Sequence, residues 1–338
     1  MGLGELLAKG FRGGHEDLYF TGHIAVTDSS GKLLYYCGDP SAVTFARSSA
    51  KPMQTMVVIE SGAVDAYQLT ESELSTLCGS HSGEEYHEEA VLSILTKAGL
   101  SSEYLQCGLH YPLYVPRAEK MRKEGIEPNV LQENCSGKHS GMLITAKHMG
   151  ESLHDYYVPS HPHQQRILHM LGEVCNYPAQ KIVLGTDGCG VPVHAMPLTC
   201  FAEGYARIGR PDKLNECHRA AAERIVNAIQ RYPYHMSGTG RLCVRLNEIS
   251  TGRVFAKSGA DGYYGLGIRP DGIGITVKID CGLGPIRDAV VVETLRQLGE
   301  VPESDLVNFD KEINMDVFNH KKEVVGRTAC CFTLHRAG

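Results

Sequence analysis

The chain has 338 residues, 42% of them hydrophobic and 21% charged, with a formal net charge of −6 at pH 7. That length exceeds the usual size of one simple core, so one large domain with a distinct subregion, or two domains, is expected, and the apolar fraction suffices for a large core. The absence of a basic stripe or tail argues against nucleic acid and anionic membrane as partners, and no apolar run approaches the roughly 20 residues needed to span a bilayer.

Strand-like segments come first. Residues 22–26 and 32–37 flank the turn Asp28-Ser29-Ser30-Gly31 and predict a hairpin. After Lys51 the apolar period becomes helical: Pro52 suits a first helical turn, where a missing N–H costs little, and Met53, Met56, Val57 and Glu60 continue the pattern. Helical periodicity recurs over residues 84–98, 139–148, 162–174, 198–208 and 211–230. Beyond Ser237-Gly238-Thr239-Gly240 strands are expected at 241–249, 252–256, 263–268 and 274–280, the last two joined by the turn Arg269-Pro270-Asp271-Gly272. A helix over 285–298 and a strand over 323–334 complete the order. The pattern predicts a mixed α/β fold: a single domain over 1–338 in which 1–45 and 238–338 form an antiparallel sheet flanked by helices, with 46–237 a mostly helical insertion.

Twelve cysteines could suggest disulfides. The chain nevertheless begins Met-Gly-Leu-Gly-Glu-Leu-Leu-Ala-Lys-Gly, without a cationic leader and long apolar core, so reduced thiols and a cytoplasmic protein are expected. Cys107, Cys175, Cys200 and Cys243 sit among apolar neighbours and read as small core residues. Other clusters take equally ordinary readings. Ser82, ahead of Gly83-Glu84-Glu85, reads as a helix N-cap, with Glu84, Glu85, Glu88 and Glu89 on a solvated face. His161 and His163 around Pro162 read as a surface loop, and Gly282-Leu283-Gly284-Pro285, lacking a P-loop lysine, as a strand-to-helix turn.

Reactive chemistry is concentrated elsewhere. In Arg47-Ser48-Ser49-Ala50-Lys51-Pro52, Ser48 and Lys51 stand three residues apart, on one face of a helix start. A serine hydroxyl needs a base to become a nucleophile; a neutral lysine can serve if burial or a nearby cation such as Arg47 lowers its pKa from about 10.4. The same four residue types also occur together by chance. Lys257-Ser258-Gly259 offers a second lysine on a strand-like run, its glycine letting substrate approach the backbone; the plain alternative is a bulge glycine beside an exposed lysine. Cys78-Gly79-Ser80-His81 adds Ser80 as a second hydroxyl for a proton relay. Two runs of small residues, Glu133-Asn134-Cys135-Ser136-Gly137-Lys138-His139 and Gly185-Thr186-Asp187-Gly188-Cys189-Gly190, hold further reactive side chains on loops.

Taken together in chain order, these five motifs resemble the Rhizobium etli type of L-asparaginase, the class 3 or asparaginase II family, over most of the chain. The resemblance implies a fold similar to serine β-lactamases and glutaminases, hydrolysis of the side-chain amide of L-asparagine, and a homodimer. Position by position, it implies that Ser48 with Lys51 and Ser80 with Lys257 form two serine-lysine tandems. It further implies that Cys135, Lys138 and Cys189 bind zinc, not necessarily as an essential cofactor, and that Arg47, His139 and Asp187 hold substrate. Spacing rules alone would not have found a lysine ligand, since zinc prefers thiolate, imidazole or carboxylate, and by those rules His139 and Asp187 are the more conventional additions. One position departs from the family pattern: Asp261 stands where glutamate is expected.

In the implied reaction Lys51 takes the proton of Ser48, whose oxygen attacks the amide carbon, with Ser80 and Lys257 relaying a proton to departing ammonia and backbone N–H groups at the helix start holding the oxyanion. Two other readings remain. A glutaminase or other serine-lysine acyl hydrolase would share the apparatus, glutamine differing by one methylene, which is worth about 1–3 kcal/mol in a pocket. A non-catalytic zinc-binding or amino-acid-binding module would keep the scaffold without turnover.

Overall fold

The computed structural model describes residues 4–338; Met1, Gly2 and Leu3, which open the stretch read for a leader, lie outside them. The strands, in chain order, are β1 (Glu5–Arg12), β2 (His15–Asp28), β3 (Leu33–Cys37), β4 (Val43–Phe45), β5 (Val183–Thr186), β6 (Pro192–Pro197), β7 (Val254–Ser258), β8 (Tyr263–Ile268), β9 (Ile273–Ile279), β10 (Met315–Phe318), β11 (Val324–Cys330) and β12 (His335–Arg336). Nine of them make one sheet in the order β10-β11-β1-β2-β9-β8-β7, with β3 added to β2 and β12 to β3, every pair antiparallel. Both ends of the chain build this sheet, and helices pack on it, which is the mixed α/β class expected. β1 and β3 share one edge of β2: Glu5 pairs with Gly22 and Cys37 with Ile24, so the two strands meet end to end there.

β8 is buried at every position and β9 at most. Helix Leu198–Gly209 covers them on one side and helix Gly284–Gln297 also packs on both. Such double cover requires close approach, and two glycines provide it: a Cβ on Gly274 would stand 1.8 Å from the carbonyl oxygen of Ala202, and one on Gly265 would stand 2.2 Å from the Tyr205 ring. Helix Lys51–Glu60 is buried from Lys51 through Ile59. It is the hub of the helical part, packed by helices Ser136–His148, Pro162–Val174 and Glu216–Arg231. No helix among the described residues is long and apolar enough to cross a membrane.

Several local expectations are corrected. Residues 241–249 form a helix, Leu242–Ile249, not a strand. Its buried Leu242, Cys243, Leu246 and Asn247 fall at helical spacing, and the Asn247 side-chain amide donates to the carbonyls of Ile229 and Gln230 at 3.2 and 3.1 Å. The helix expected over 211–230 is split: a 3-10 turn at Pro211–Lys213 gives way to Glu216–Arg231, because Asn215 turns back to accept the N–H of His218 at 2.9 Å. Glu84, not Ser82, is the N-cap of helix Glu85–Lys97, and its buried carboxylate accepts from Thr239; Ser82 donates instead to Ser237 O at 2.9 Å. His161 and His163 are buried at the start of helix Pro162–Val174, where the His161 side chain accepts the His163 N–H. The small sheet β4-β6-β5 was unforeseen: β4 lies in the segment 1–45 expected to join the main sheet, yet it pairs with β6 of the helical part, in strands only three to six residues long. All twelve cysteines are free thiols.

Gly274→Ala is expected to destabilise the protein by about 3 kcal/mol or more, because overpacking here pushes backbone against backbone. Urea unfolding midpoints of the two proteins check this.

Candidate active site

Five segments converge at the N-terminal end of the hub helix. The first is the 3-10 turn Arg47–Ala50 that leads into it. Arg47 has φ +52°, a left-handed conformation that is strained for a residue with a side chain. Two carboxylates hold it there: Asp187 Oδ1 accepts from Arg47 Nε at 2.8 Å, and Asp261 pairs with the other side of the guanidinium. The Asp261 side chain is far more exposed than that of Asp187, 67% against 9%. The residue that departs from the family pattern thus touches the arginine expected to hold substrate.

The two serines of the turn have different fates. Ser49 faces inward: its hydroxyl donates to Lys257 O at 2.7 Å and its carbonyl accepts from Tyr205 Oη at 2.7 Å. Ser48 is half-buried, and its hydroxyl makes no hydrogen bond among the described residues. The glycine of Lys257-Ser258-Gly259 also has a more local purpose than expected. A Cβ there would lie 2.6 Å from Ala46 O and 3.1 Å from Ser49 Oγ, so Gly259 lets β7 dock against the turn itself.

Lys51 and Lys257 are each 1% exposed. Lys51 Nζ lies 2.8 Å from Ser80 Oγ, 2.6 Å from Gly79 O and 3.1 Å from Cys135 Sγ. The direct serine-lysine hydrogen bond therefore joins Lys51 to Ser80, across the expected Ser48/Lys51 and Ser80/Lys257 pairs. Lys257 Nζ donates to Ser258 O at 2.7 Å. Burial, reinforced by the charge of nearby Lys51, lowers its pKa to about 7. The Ser80 loop is itself tied down: Ser80 N–H donates to Met236 O at 3.1 Å, and His81 Nε2 meets Ser136 Oγ at 2.9 Å while Nδ1 accepts from Gly83 N–H. Fully buried and driven toward its neutral form by desolvation, His81 is a strut between the loop and helix Ser136–His148.

Cys135, Lys138 and Cys189 form the adjoining cluster. Lys138 Nζ reaches Cys189 Sγ at 3.2 Å, and Cys135 Sγ donates to Asn134 Oδ1 at 3.5 Å. The neighbouring Cys189 thiol and burial push Cys135 up, whereas the neighbouring Cys135 and the Lys138 charge pull Cys189 down. His139 is fully buried beside Cys189; its Nδ1 bonds Tyr156 Oη at 2.7 Å, and its Nε2 has no partner. Two thiols, an amine and an orphaned imidazole nitrogen, all buried, are donor types that zinc takes, but the thiols and the imidazole are not gathered within 4.8 Å of one another, so a bound ion would have to draw them together. Sequence reasoning missed Tyr156, which orients His139 and accepts from Gln106 N–H at 2.9 Å, and the tie from Cys135 N–H to Glu133 Oε2 at 2.7 Å. Nothing in the run Asp155-Tyr156-Tyr157 marks the tyrosine in advance.

Solved structures with a similar overall arrangement include a β-lactamase from Mycobacterium bovis, with 12% identity, covering 82% of this chain and 94% of that one, at a TM-score of 0.44. They also include Mglu crystallised in 4.3 M NaCl, with 15% identity over 82% of this chain and a TM-score of 0.38. The chain spans 60% of the length of that Mglu chain. Among curated proteins no relative matches. The L-asparaginase II family matches residues 8–330, nearly the whole length, and the chain belongs to that family.

Proposed function

We propose that the protein is an L-asparaginase, hydrolysing the side-chain amide of asparagine to aspartate and ammonia through an acyl-serine. The observation that carries this reading is the pair of buried lysines beside two serines, one lysine hydrogen-bonded to Ser80 and the other with a pKa near 7. Membership of the L-asparaginase II family supports an amidohydrolase. Ser48 is the proposed nucleophile: it is the accessible serine, and its hydroxyl is committed to no other partner. Its oxygen bonds to the amide carbon while its proton enters the relay formed by Ser80, Lys51 and Lys257. Collapse of the tetrahedral adduct breaks the C–N bond, the relay returns the proton to the leaving nitrogen, and ammonia departs. Water then cleaves the ester by the same steps in reverse. The backbone N–H groups of the first turn at Ser48 are the proposed oxyanion donors.

Arg47 and Asp187 are suited to the α-carboxylate and α-ammonium of the amino acid. In the free protein Asp261 occupies one side of Arg47, so the substrate carboxylate would displace this exposed residue while Asp187 stays. His139, buried behind Cys189, would act on substrate through that thiol. Cys135, Cys189 and Lys138 are the proposed zinc ligands, and a bound ion would supply electrostatic orientation of the substrate rather than the nucleophile.

Ammonia release from asparagine, run beside glutamine, tests the reading. Asparagine-selective release that falls by about 10³-fold or more in Ser48→Ala is expected; release from glutamine alone would point to a glutaminase, and release from neither would sink the proposal. Asp261→Asn is expected to lower KM for asparagine with kcat little changed, since substrate no longer competes with a carboxylate; a raised KM would make Asp261 a substrate contact instead. The pH–rate profile should rise through an apparent pKa near 7 as Lys257 loses its proton.

The same lysine has a stability signature. Unfolded, it holds its proton to about 10.4; folded, it releases it near 7. Between those values the unfolded state binds more protons, so this residue favours folding increasingly as pH rises, and its burial is most unfavourable below 7. Lys257→Met is therefore expected to abolish turnover yet raise Tm more at pH 6 than at pH 9, measured by calorimetry.

A further inference from the structure

The seam where β1 and β3 meet beside β2 gathers ligating side chains from three strands that are remote in sequence. Glu5 begins β1, Cys37 ends β3, and His335 opens β12, which pairs with β3 through His335↔Tyr36. A carboxylate oxygen, a thiol sulfur and an imidazole nitrogen of these residues all lie within 4.8 Å of one another. Among the described residues this is the only set of three or more His, Cys, Asp or Glu ligand atoms so closely grouped. We propose that Glu5, Cys37 and His335 form a zinc-binding site, separate from the active site, that fastens the last strand of the chain to the first.

The donor set is one that zinc uses, and thiolate with imidazole disfavours the oxygen-seeking calcium and magnesium. Bonds of about 2.0–2.3 Å around a tetrahedral ion separate neighbouring ligands by about 3.3–3.8 Å. The cluster must therefore contract only by about an ångström, and the two ligands that would move, Glu5 and His335, are 41% and 46% exposed. Cys37, fully buried, supplies the fixed floor, while the exposed pair leaves an entry path and room for a water as fourth ligand.

The surroundings orient the ligands as a metal site requires. Gly38 N–H donates to Glu5 Oε2 at 3.0 Å, and His335 Nε2 lies 3.0 Å from Oε1 and 3.2 Å from Oε2 of the same carboxylate. The His335 ring packs against Tyr36 with ring centroids 5.4 Å apart. These contacts hold the imidazole and carboxylate side by side, within 4.8 Å of the Cys37 sulfur. β12 is only two residues long, so its own ladder contributes little, and an ion bridging three strands would hold it far more firmly.

The test uses the full chain carrying Cys135→Ser and Cys189→Ser, which removes the thiolates of the active-site cluster. Titrated with cobalt(II), this protein is expected to bind one equivalent with a thiolate-to-cobalt charge-transfer absorption, lost on adding His335→Gln or Glu5→Gln. In the otherwise unaltered protein, His335→Gln should lower the zinc content by one equivalent, counted by mass spectrometry of the metal, and leave ammonia release unchanged. The single surface change keeps the test decisive should the double variant fail to fold. No charge-transfer band and no change in zinc content with His335→Gln would overturn the site and leave a hydrogen-bonded cluster only.

Discussion

Two amines kept out of water near each other set the terms for the rest of the site. Lys51 and Lys257 are equally buried, yet their surroundings differ. Three acceptors, Gly79 O, Ser80 Oγ and Cys135 Sγ, encircle Lys51 Nζ, whereas Lys257 Nζ has only the carbonyl of its own neighbour Ser258. Burial penalises a charged amine unless its donors are met, and a second amine nearby deepens the penalty. The asymmetry leaves Lys51 tied to the serine loop and the thiol, and Lys257 with its pKa lowered to about 7.

Holding this arrangement requires backbone as much as side chains. Ser49 is the pin, bonded to β7 through its hydroxyl and to Tyr205 through its carbonyl, and Gly259 removes the Cβ that would keep β7 from the turn. Ser49 is turned inward, while Ser48 stays half-buried with no hydrogen bond to its hydroxyl among the described residues. The strained Arg47 is tolerated because the charges of Asp187 and Asp261 fix its side chain, so the turn that carries Ser48 is braced from both sides of the guanidinium.

Much of this was legible in the sequence. The sheet-forming ends and helical middle follow from a change of apolar period, and residues with strong boundary signals, such as Pro162 opening the helix Pro162–Val174, were placed correctly. Arg241-Leu242-Cys243-Val244-Arg245 misled because alternating apolar and basic residues fit either period, and the deciding contact, Asn247 against the end of helix Glu216–Arg231, is tertiary. The reactive residues announced themselves through their motifs, but which lysine touches which serine did not, since Lys51 and Ser80 meet only by folding. The struts His81 and Tyr156 carry no local signal: a buried histidine and a buried tyrosine look the same in sequence whether they brace a site or fill a core.

The partner of Lys257 in the turn, Ser49, lies 208 residues earlier, and β7 is the terminal strand of its sheet. During synthesis the serines, the first lysine and the thiols all leave the ribosome long before the second lysine does. Until β7 seats against the turn, that amine stays hydrated and holds its proton as any surface lysine would. In the proposed mechanism the proton relay is therefore incomplete until the last part of the fold closes, so completion of the architecture would itself be the activating event.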